Sequence, residues 1–157
     1  MTLRWSEAFL SNNSTLDEEH AELFRLLNRL ESLEPPDRNV DPEEFQRNVE
    51  ELLEYTTQHC SREEQVMSSV RYPGHEAHAV DHTALRASLI VLLQPVHAGR
   101  GTISIFSKEA RSLFLRHFQK EDLAYLRWVG EQSGQPPGGT RRLSLYHLAI
   151  QVHPKRY

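Results

Sequence analysis

The chain has 157 residues and a mass of 18.2 kDa, the size of one domain that can bury a sizeable core. Its 38% hydrophobic and 25% charged residues are typical of a soluble globular protein and exclude a disordered or collagen-like chain. The net charge is −4, but the 14 basic and 22 acidic residues of positions 1–131 give that part a balance of −8, which disfavours binding to nucleic acid because phosphates attract clusters of basic side chains.

Four helical stretches are predicted in chain order, separated by proline and glycine residues that end helices. They span approximately residues 16–33, 42–70, 75–93 and 104–130. Asp41 is expected to cap the second stretch, since its carboxylate can accept a hydrogen bond from a free backbone amide. Pro42 suits the first helical position, and Pro95 is expected to lie beyond the end of the third stretch.

Each stretch carries one narrow apolar seam whose positions alternate in steps of three and four residues, the pattern of a helix packed along one edge. Short loops join successive stretches, so neighbouring helices should run antiparallel. The predicted fold is therefore all-α: an up-down-up-down antiparallel four-helix bundle over residues 1–133, with an N-terminal arm. A linker and C-terminal tail at residues 134–157 form an extension of unknown role.

The seam of the fourth stretch contains one irregular step, from His117 to Asp122. Side chains five residues apart lie about 140° from each other on a regular α-helix. The apolar seam nevertheless resumes in phase with Asp122, which indicates one extra residue in the turn. We therefore predict a π-bulge between His117 and Asp122, a distortion that is frequent at functional sites.

Seven side chains that commonly bind metal ions fall within the four seams. They are His20, His59, Glu63, His78, His82, His117 and Asp122. Any one of them could be a satisfied polar residue of the core. Seven together could not, because an unpaired buried charge costs several kcal/mol and a domain is stable by only about 5–15 kcal/mol. Bound metal ions would satisfy them all.

Five imidazoles and two carboxylates are too many ligands for one ion and fit two ions if both carboxylates bridge. One ion would then be six-coordinate, and the other would be five-coordinate with an open position, as reactive metal sites have. The mixed ligands suit iron, manganese or zinc, and the sequence leaves the choice among them open. Glu64 and Asp81 could accept hydrogen bonds from imidazoles, although a solvated position is the simpler expectation for both.

These motifs resemble those of the hemerythrins, in particular the bacterial ones, over approximately residues 5–129. The shared features are Trp5, the acidic stretch before His20, the segment from His59 to Glu63, Tyr72-Pro73 ahead of His78 and His82, and the segment from His117 to Asp122. The resemblance implies a non-haem di-iron centre that binds O2 reversibly.

The resemblance also implies a role for each ligand. The iron without an open position would be held by His78, His82 and His117. The iron that binds O2 would be held by His20 and His59. The two ions would be bridged by Glu63 and Asp122 together with an oxo or hydroxo group.

The O2 pocket is expected to be lined by Leu113, Phe114 and Phe118. Hemerythrins usually have Trp, Leu and Ile at the corresponding positions, so the shape of the pocket should differ here. All three side chains are apolar, whereas an enzyme would usually need a proton-delivering group beside the open iron. The favoured function is therefore O2 carriage, storage, delivery or sensing without catalysis; the alternative is a di-iron enzyme acting on peroxide, O2 or nitric oxide.

The end of the chain differs in charge from the rest. Residues 132–157 contain four basic residues and no acidic one, whereas residues 1–131 contain 14 basic and 22 acidic residues. The tail could contact a protein partner or a second copy of the chain. The start of the chain has no apolar segment typical of a signal peptide, and the longest apolar run, Leu89 to Leu93, is too short to span a membrane. A cytoplasmic location is therefore expected.

Overall fold

The computed structural model of the chain describes residues 14–33 and 41–132. The helices are α1 (Ser14–Ser32), α2 (Pro42–Ser69), α3 (His75–His97), α4 (Ile103–His117) and α5 (Leu123–Gln132), and a π-helical segment (Phe118–Asp122) joins α4 to α5. Within these ranges no helix has both the length and the hydrophobicity needed to cross a bilayer. The predicted N-terminal arm and the extension at residues 134–157 lie outside the described residues.

The helices pack as a four-membered ring in which α4, the π segment and α5 together form the fourth member. α1 packs against α2, α2 against α3, α3 against α4 and α4 against α1. Glu19, early in α1, binds Arg62, late in α2, whereas Arg29, late in α1, binds Glu51. The same opposite order relates α1 to α4. These contacts confirm the predicted antiparallel bundle.

The apolar core consists of two clusters with a polar layer between them. The larger cluster contains side chains from α1, α2, α3 and α4, among them Leu27, Leu52, Leu89 and Phe106. The smaller cluster, which includes Tyr125, joins the end of α2 to α5. The polar residues of the seams lie between the two clusters, so apolar packing closes this layer at both ends.

Two helices begin at a side-chain cap. The backbone amide of Glu43 donates a hydrogen bond to Asp41 Oδ1 at 3.0 Å, which confirms the predicted cap of α2. The amide of Ile105 donates to Thr102 Oγ1 at 3.2 Å at the start of α4. Each cap satisfies an amide that has no partner within its own helix.

The third helix is longer than predicted, because it continues through Pro95 to His97. Pro95 has no amide hydrogen to donate, but its carbonyl still accepts a hydrogen bond from the Arg100 amide at 2.8 Å. The helix ends at His97 and is followed by Ala98 and then by Gly99, whose φ of 65° is a left-handed conformation that glycine adopts without strain.

The π-bulge predicted in the fourth helix is present. The amide of Leu123 donates its hydrogen bond to the carbonyl of Phe118, five residues earlier, instead of four. The extra residue turns both His117 and Asp122 into the bundle, where both are buried. The unusual spacing of these two residues is therefore accommodated by the backbone and not by a break in the helix.

The π segment leads to a prediction about insertions and deletions. Deleting the exposed Gln119 should leave His117 and Asp122 four residues apart, a spacing that also aligns side chains on a regular α-helix. Inserting one alanine after Gln119 should instead rotate α5 by about 100° and expose its apolar seam. We expect the deletion variant to keep the helical content and cooperative thermal unfolding of the parent, and the insertion variant to lose cooperativity, as measured by circular dichroism. Equal tolerance of both changes would contradict this account of the turn.

Candidate metal centre

The seven polar side chains predicted from the seams converge in one layer of the bundle. Each of them is at most 4% exposed. They are His20 from α1, His59 and Glu63 from α2, His78 and His82 from α3, His117 from α4 and Asp122 from the π segment. The fold therefore brings together residues that are more than a hundred positions apart in the chain.

The potential ligand atoms of this layer form two groups, in each of which all atoms lie within 4.8 Å of one another. The first group comprises Glu63, His78, His82, His117 and Asp122, and the second comprises His20, His59 and Asp122. Three imidazoles thus belong to one group and two to the other. Either group has the donor types that bind a transition-metal ion.

Asp122 belongs to both groups because its two oxygens point to different imidazoles. Oδ1 lies 2.9 Å from His117 Nε2 and 3.2 Å from His78 Nε2. Oδ2 lies 3.0 Å from His20 Nε2. This division of the two oxygens is the geometry that a carboxylate needs to bridge two metal ions.

Glu63, from α2, lies near three imidazoles, of which His78 is also near Asp122. Its Oε2 is 3.2 Å from His82 Nε2, 3.6 Å from His78 Nε2 and 3.8 Å from His59 Nε2. One oxygen of Glu63 thus approaches imidazoles of both groups. Glu63 therefore belongs to the first group and also approaches His59 of the second.

The hydrogen bonding of this layer tests whether metal ions fit it. Both carboxylate oxygens of Glu63 and of Asp122, and Nε2 of His59 and of His78, are buried without a hydrogen bond to any described residue. They lie at ion-pair distances but not in hydrogen-bonding directions. Leaving so many buried polar atoms unsatisfied is costly. Metal ions would satisfy them, because all are lone-pair donors aimed at a common space.

The electrostatics of the layer change the proton affinities of its residues. Burial lowers the pKa of His78, but Asp122 and Glu63 outweigh burial and raise this pKa to about 10. The same balance raises the pKa of His117 to about 9. Burial also raises the pKa of Glu63, yet His78 and His82 hold that pKa at about 2. Without metal, protons on imidazoles therefore balance the buried carboxylates.

Three of the five imidazoles are oriented by carboxylates outside the layer. Nδ1–H of His59 donates to Glu19 at 2.7 Å, that of His82 to Glu64 at 2.8 Å and that of His117 to Asp81 at 2.7 Å. A proton held at Nδ1 leaves the Nε2 lone pair of each ring available for a metal ion. Glu64 and Asp81 are therefore hydrogen-bonded to imidazoles, contrary to the expectation that both are merely solvated.

Glu19 is the residue of the site that the sequence patterns missed. It is only 8% exposed, and the guanidinium Nε of Arg62 donates to its second oxygen at 2.6 Å. Glu19 precedes His20 in an acidic stretch, but its bonded imidazole, His59, is 40 residues away in the chain. Only the packing of α1 on α2 brings the two together.

The aromatic residues predicted to line a pocket lie on the side of His20. The ring of Phe118 stacks on the His20 imidazole with centroids 3.7 Å apart and planes 20° apart. Phe114 stacks on Phe118 at 5.9 Å. Leu113 instead lines a cavity of about 230 Å³ between α3 and α4, beside His117. Phe118 therefore covers His20 and also lies 6.2 Å from His117 between ring centroids, whereas Leu113 lies beside His117.

The fold and the site define the class of protein: a four-helix bundle with a buried metal centre of imidazoles and carboxylates. The chain belongs to the hemerythrin family, since the family model of the hemerythrin HHE cation binding domain matches residues 11–129. This membership implies iron as the bound metal.

The curated relatives that the chain matches include bacteriohemerythrins of Campylobacter jejuni subsp. jejuni serotypes O:6, O:2 and O:23/36. Each is 24% identical over 136 residues, which cover 83% of this chain and 98% of the relative. No solved structure matches the chain at the same stringency.

The shifted pKa values predict how pH affects the metal-free protein. An unfolded histidine has a pKa of about 6.5, so the stabilisation from protonated His78 and His117 is complete below that pH. This stabilisation is lost as the pH rises, first through the pKa of about 9 at which folded His117 releases its proton and then through the pKa of about 10 at which folded His78 does so. We expect the melting temperature of the metal-free protein to fall by about 3 °C for each kcal/mol lost over this range.

Iron binding should have the opposite pH dependence, because the metal displaces the imidazole protons and its affinity rises as they are lost. Calorimetry of metal-free and iron-loaded protein across this pH range would test both trends. A metal-free melting temperature that is constant or rises with pH would contradict the assignment.

The position of Glu19 predicts that it supports metal binding without touching the metal. A Glu19→Gln substitution removes the charge that orients His59 and should weaken iron binding by about 10- to 100-fold, the usual effect of losing such a partner. The exposed neighbour Glu18 provides the matched control, so Glu18→Gln should leave the affinity unchanged. Anaerobic competition with a coloured ferrous chelator measures both. Equal affinities of the two variants would exclude this role for Glu19.

Proposed function

We propose that this hemerythrin-family protein binds O2 reversibly at a centre of two iron ions held by the seven buried residues of the polar layer. Hemerythrins bind O2, and the relatives that the chain matches are named bacteriohemerythrins. The two irons, when bound, supply the two electrons that O2 takes up on binding and returns on release. The residues of the chain must then hold the ions, leave room for O2 and keep water away.

The single observation that carries the proposal is the unequal division of the imidazoles between the two groups of ligand atoms. With three imidazoles, His78, His82 and His117, one iron would have no open position. With only His20 and His59, the other would keep one open. A purely structural site would need no such difference.

The shared carboxylates support two adjacent ions instead of two separate sites. Asp122 has one oxygen toward His117 and the other toward His20, and Glu63 approaches imidazoles of both groups. In the proposed centre Glu63 and Asp122 would each hold both irons, together with an oxo or hydroxo group. Adjacent ions are required if both are to supply electrons to one O2 molecule.

The surroundings of His20 favour binding over catalysis. Phe118 covers the imidazole, and Phe114 and Phe24 pack around Phe118. These rings offer no proton to a bound molecule and exclude water from the site. We therefore assign the O2 pocket to Phe114 and Phe118, whereas Leu113, which lines a cavity with His117, would border the other iron.

One experiment tests the proposed function directly. The purified full chain is loaded with ferrous iron anaerobically, its iron is counted, and its visible spectrum is recorded through cycles of oxygenation and deoxygenation. The expected result is two irons per chain and a spectrum that returns to its starting form when O2 is removed. Irreversible oxidation with rapid turnover of added peroxide would indicate the enzyme instead, and a centre that binds only zinc would contradict both.

The stacking of Phe118 on His20 predicts a role in protecting the centre. A Phe118→Leu substitution removes the ring that covers the imidazole and should admit water, so that the oxygenated protein oxidises several times faster. Phe106→Leu is the matched control, since Phe106 is similarly buried in the same apolar cluster but lies about three helical turns before His117 on α4. Decay of the oxygenated spectrum gives both rates. Equal acceleration in the two variants would point to general loosening of the bundle.

A further inference from the structure

The metal-binding side chains are shielded from solvent, since each of the seven is at most 4% exposed. O2 binds to a ferrous pair, and an iron that has lost an electron for good is ferric and binds no further O2. A reductant that cannot enter the bundle restores the ferrous state only if an electron crosses the protein. Easily oxidised side chains in contact with one another would assist this crossing.

Tyr125 lies beside the ligands as part of the smaller apolar cluster. It follows Asp122 by three residues, so the two side chains lie on one side of the helix. In the cluster it packs with Met67, which follows Glu63 by four residues on α2. Burial, and to a smaller extent the charge of Glu63, raises the pKa of the Tyr125 phenol above its usual value. The phenol ring therefore borders the polar layer.

The hydroxyl of Tyr125 is not explained by packing. Tyr125 is 2% exposed, and its hydroxyl oxygen is buried without a hydrogen bond to any described residue. Leaving such a group unpaired costs about 1–3 kcal/mol, so a phenylalanine would fill the same space more favourably. The property that tyrosine adds to the ring is its much easier oxidation, which is of use only in electron transfer.

Two further aromatic rings continue from Tyr125 toward the surface. The ring of Tyr72 meets that of Tyr125 edge to face, with centroids 5.2 Å apart. The ring of Trp128 lies 5.3 Å from that of Tyr72. Tyr72 and Trp128 are only partly buried. Both centroid separations are those of aromatic rings in contact, so the three rings form one series from the polar layer to solvent.

The backbone before α3 holds the Tyr72 ring in the middle of this series. Arg71 has a φ of 57°, a left-handed conformation that residues other than glycine seldom adopt. The next amide, that of Tyr72, donates to the Met67 carbonyl at 2.9 Å. The Tyr72 ring then lies over Gly74, where an added Cβ would be 2.7 Å from Tyr72 Cζ. Any side chain at position 74 would therefore displace the ring.

We propose that Tyr125, Tyr72 and Trp128 conduct electrons from a one-electron donor at the surface to the iron centre. The inference rests on the proposed function, because a ferric centre must be reduced before it binds O2 again. In each passage the donor is oxidised by one electron and one ferric ion is reduced to ferrous, so two passages restore the pair. No bond in the three side chains forms or breaks, and all three keep their protons.

Reduction of the iron-loaded ferric chain tests the complete route. The full chain is mixed rapidly with reduced methyl viologen, and the return of the ferrous spectrum gives the rate. Tyr72→Leu interrupts the series at its middle ring and should slow reduction severalfold. Leu126→Ala is the matched control, because Leu126 is partly buried against the same cluster but is not part of the series. A Tyr72→Leu chain that is reduced as fast as the parent would overturn the proposal.

Two further measurements separate an interrupted route from an altered centre. The iron content and the reduction potential of the Tyr72→Leu chain should equal those of the parent, so that the driving force is unchanged. Tyr72→Phe keeps a ring in the series and should retain most of the parent rate. A reduction potential that falls in step with the rate would assign the effect to the centre and overturn the proposal, as would a Tyr72→Phe chain as slow as Tyr72→Leu.

The outer contact of the route can be tested without metal. In a metal-free Trp5→Phe chain, Trp128 is the single tryptophan. Flash oxidation by a photo-excited ruthenium complex with a sacrificial acceptor removes one electron and the indole proton from it. Tyr72 should then return one electron and one proton to the indole, so that a tyrosyl radical replaces the tryptophanyl radical in the absorption and electron paramagnetic resonance spectra.

The same flash experiment on a chain that also carries Tyr72→Leu should leave the tryptophanyl radical in place. Transfer at equal rates with and without Tyr72, or no transfer in either chain, would overturn the proposal. Because this experiment uses no iron, it distinguishes two failures. A chain that binds two irons and O2 but shows no transfer lacks the route, whereas a chain that shows transfer but binds no iron lacks the proposed function.

Discussion

The burial of two carboxylates among five imidazoles is the interaction on which the rest of this structure depends. Asp122 shares its oxygens between His117 and His20, so one side chain ties the first helix to the fourth. Such a layer is costly in an apolar bundle unless its charges are compensated. Protonated imidazoles provide that compensation without metal, and metal ions provide it in the hemerythrin family. Stability and function therefore draw on the same group of residues.

Several features of the fold serve this layer. Apolar clusters close it from both ends, and they exclude water that would otherwise solvate the charges. The π segment inserts one residue so that His117 and Asp122 both point inward while the seam continues in phase. Carboxylates at its border fix the imidazole rings, and Glu19 is itself held by Arg62. The backbone irregularity and the buried polar residues thus have a common cause.

The asymmetry of the centre is set by the helices that contribute to it. α3 supplies two imidazoles one turn apart and faces His117, whereas α1 supplies only His20 and faces His59. The phenylalanines stack on the side with fewer imidazoles. The group with fewer imidazoles is therefore also the one on which a phenylalanine ring stacks.

The sequence by itself determined the helices, the bundle and the seven inward-facing polar residues, because helical periodicity directly encodes which side chains share a face. It also indicated the π-bulge, since a five-residue step is incompatible with a regular seam. Only the tertiary structure decided that Glu19 binds His59, that Phe118 covers His20 and that Leu113 borders the opposite group. These contacts join residues of different helices, and their existence depends on how the helices are rotated and paired. Periodicity within one helix carries no information about that rotation.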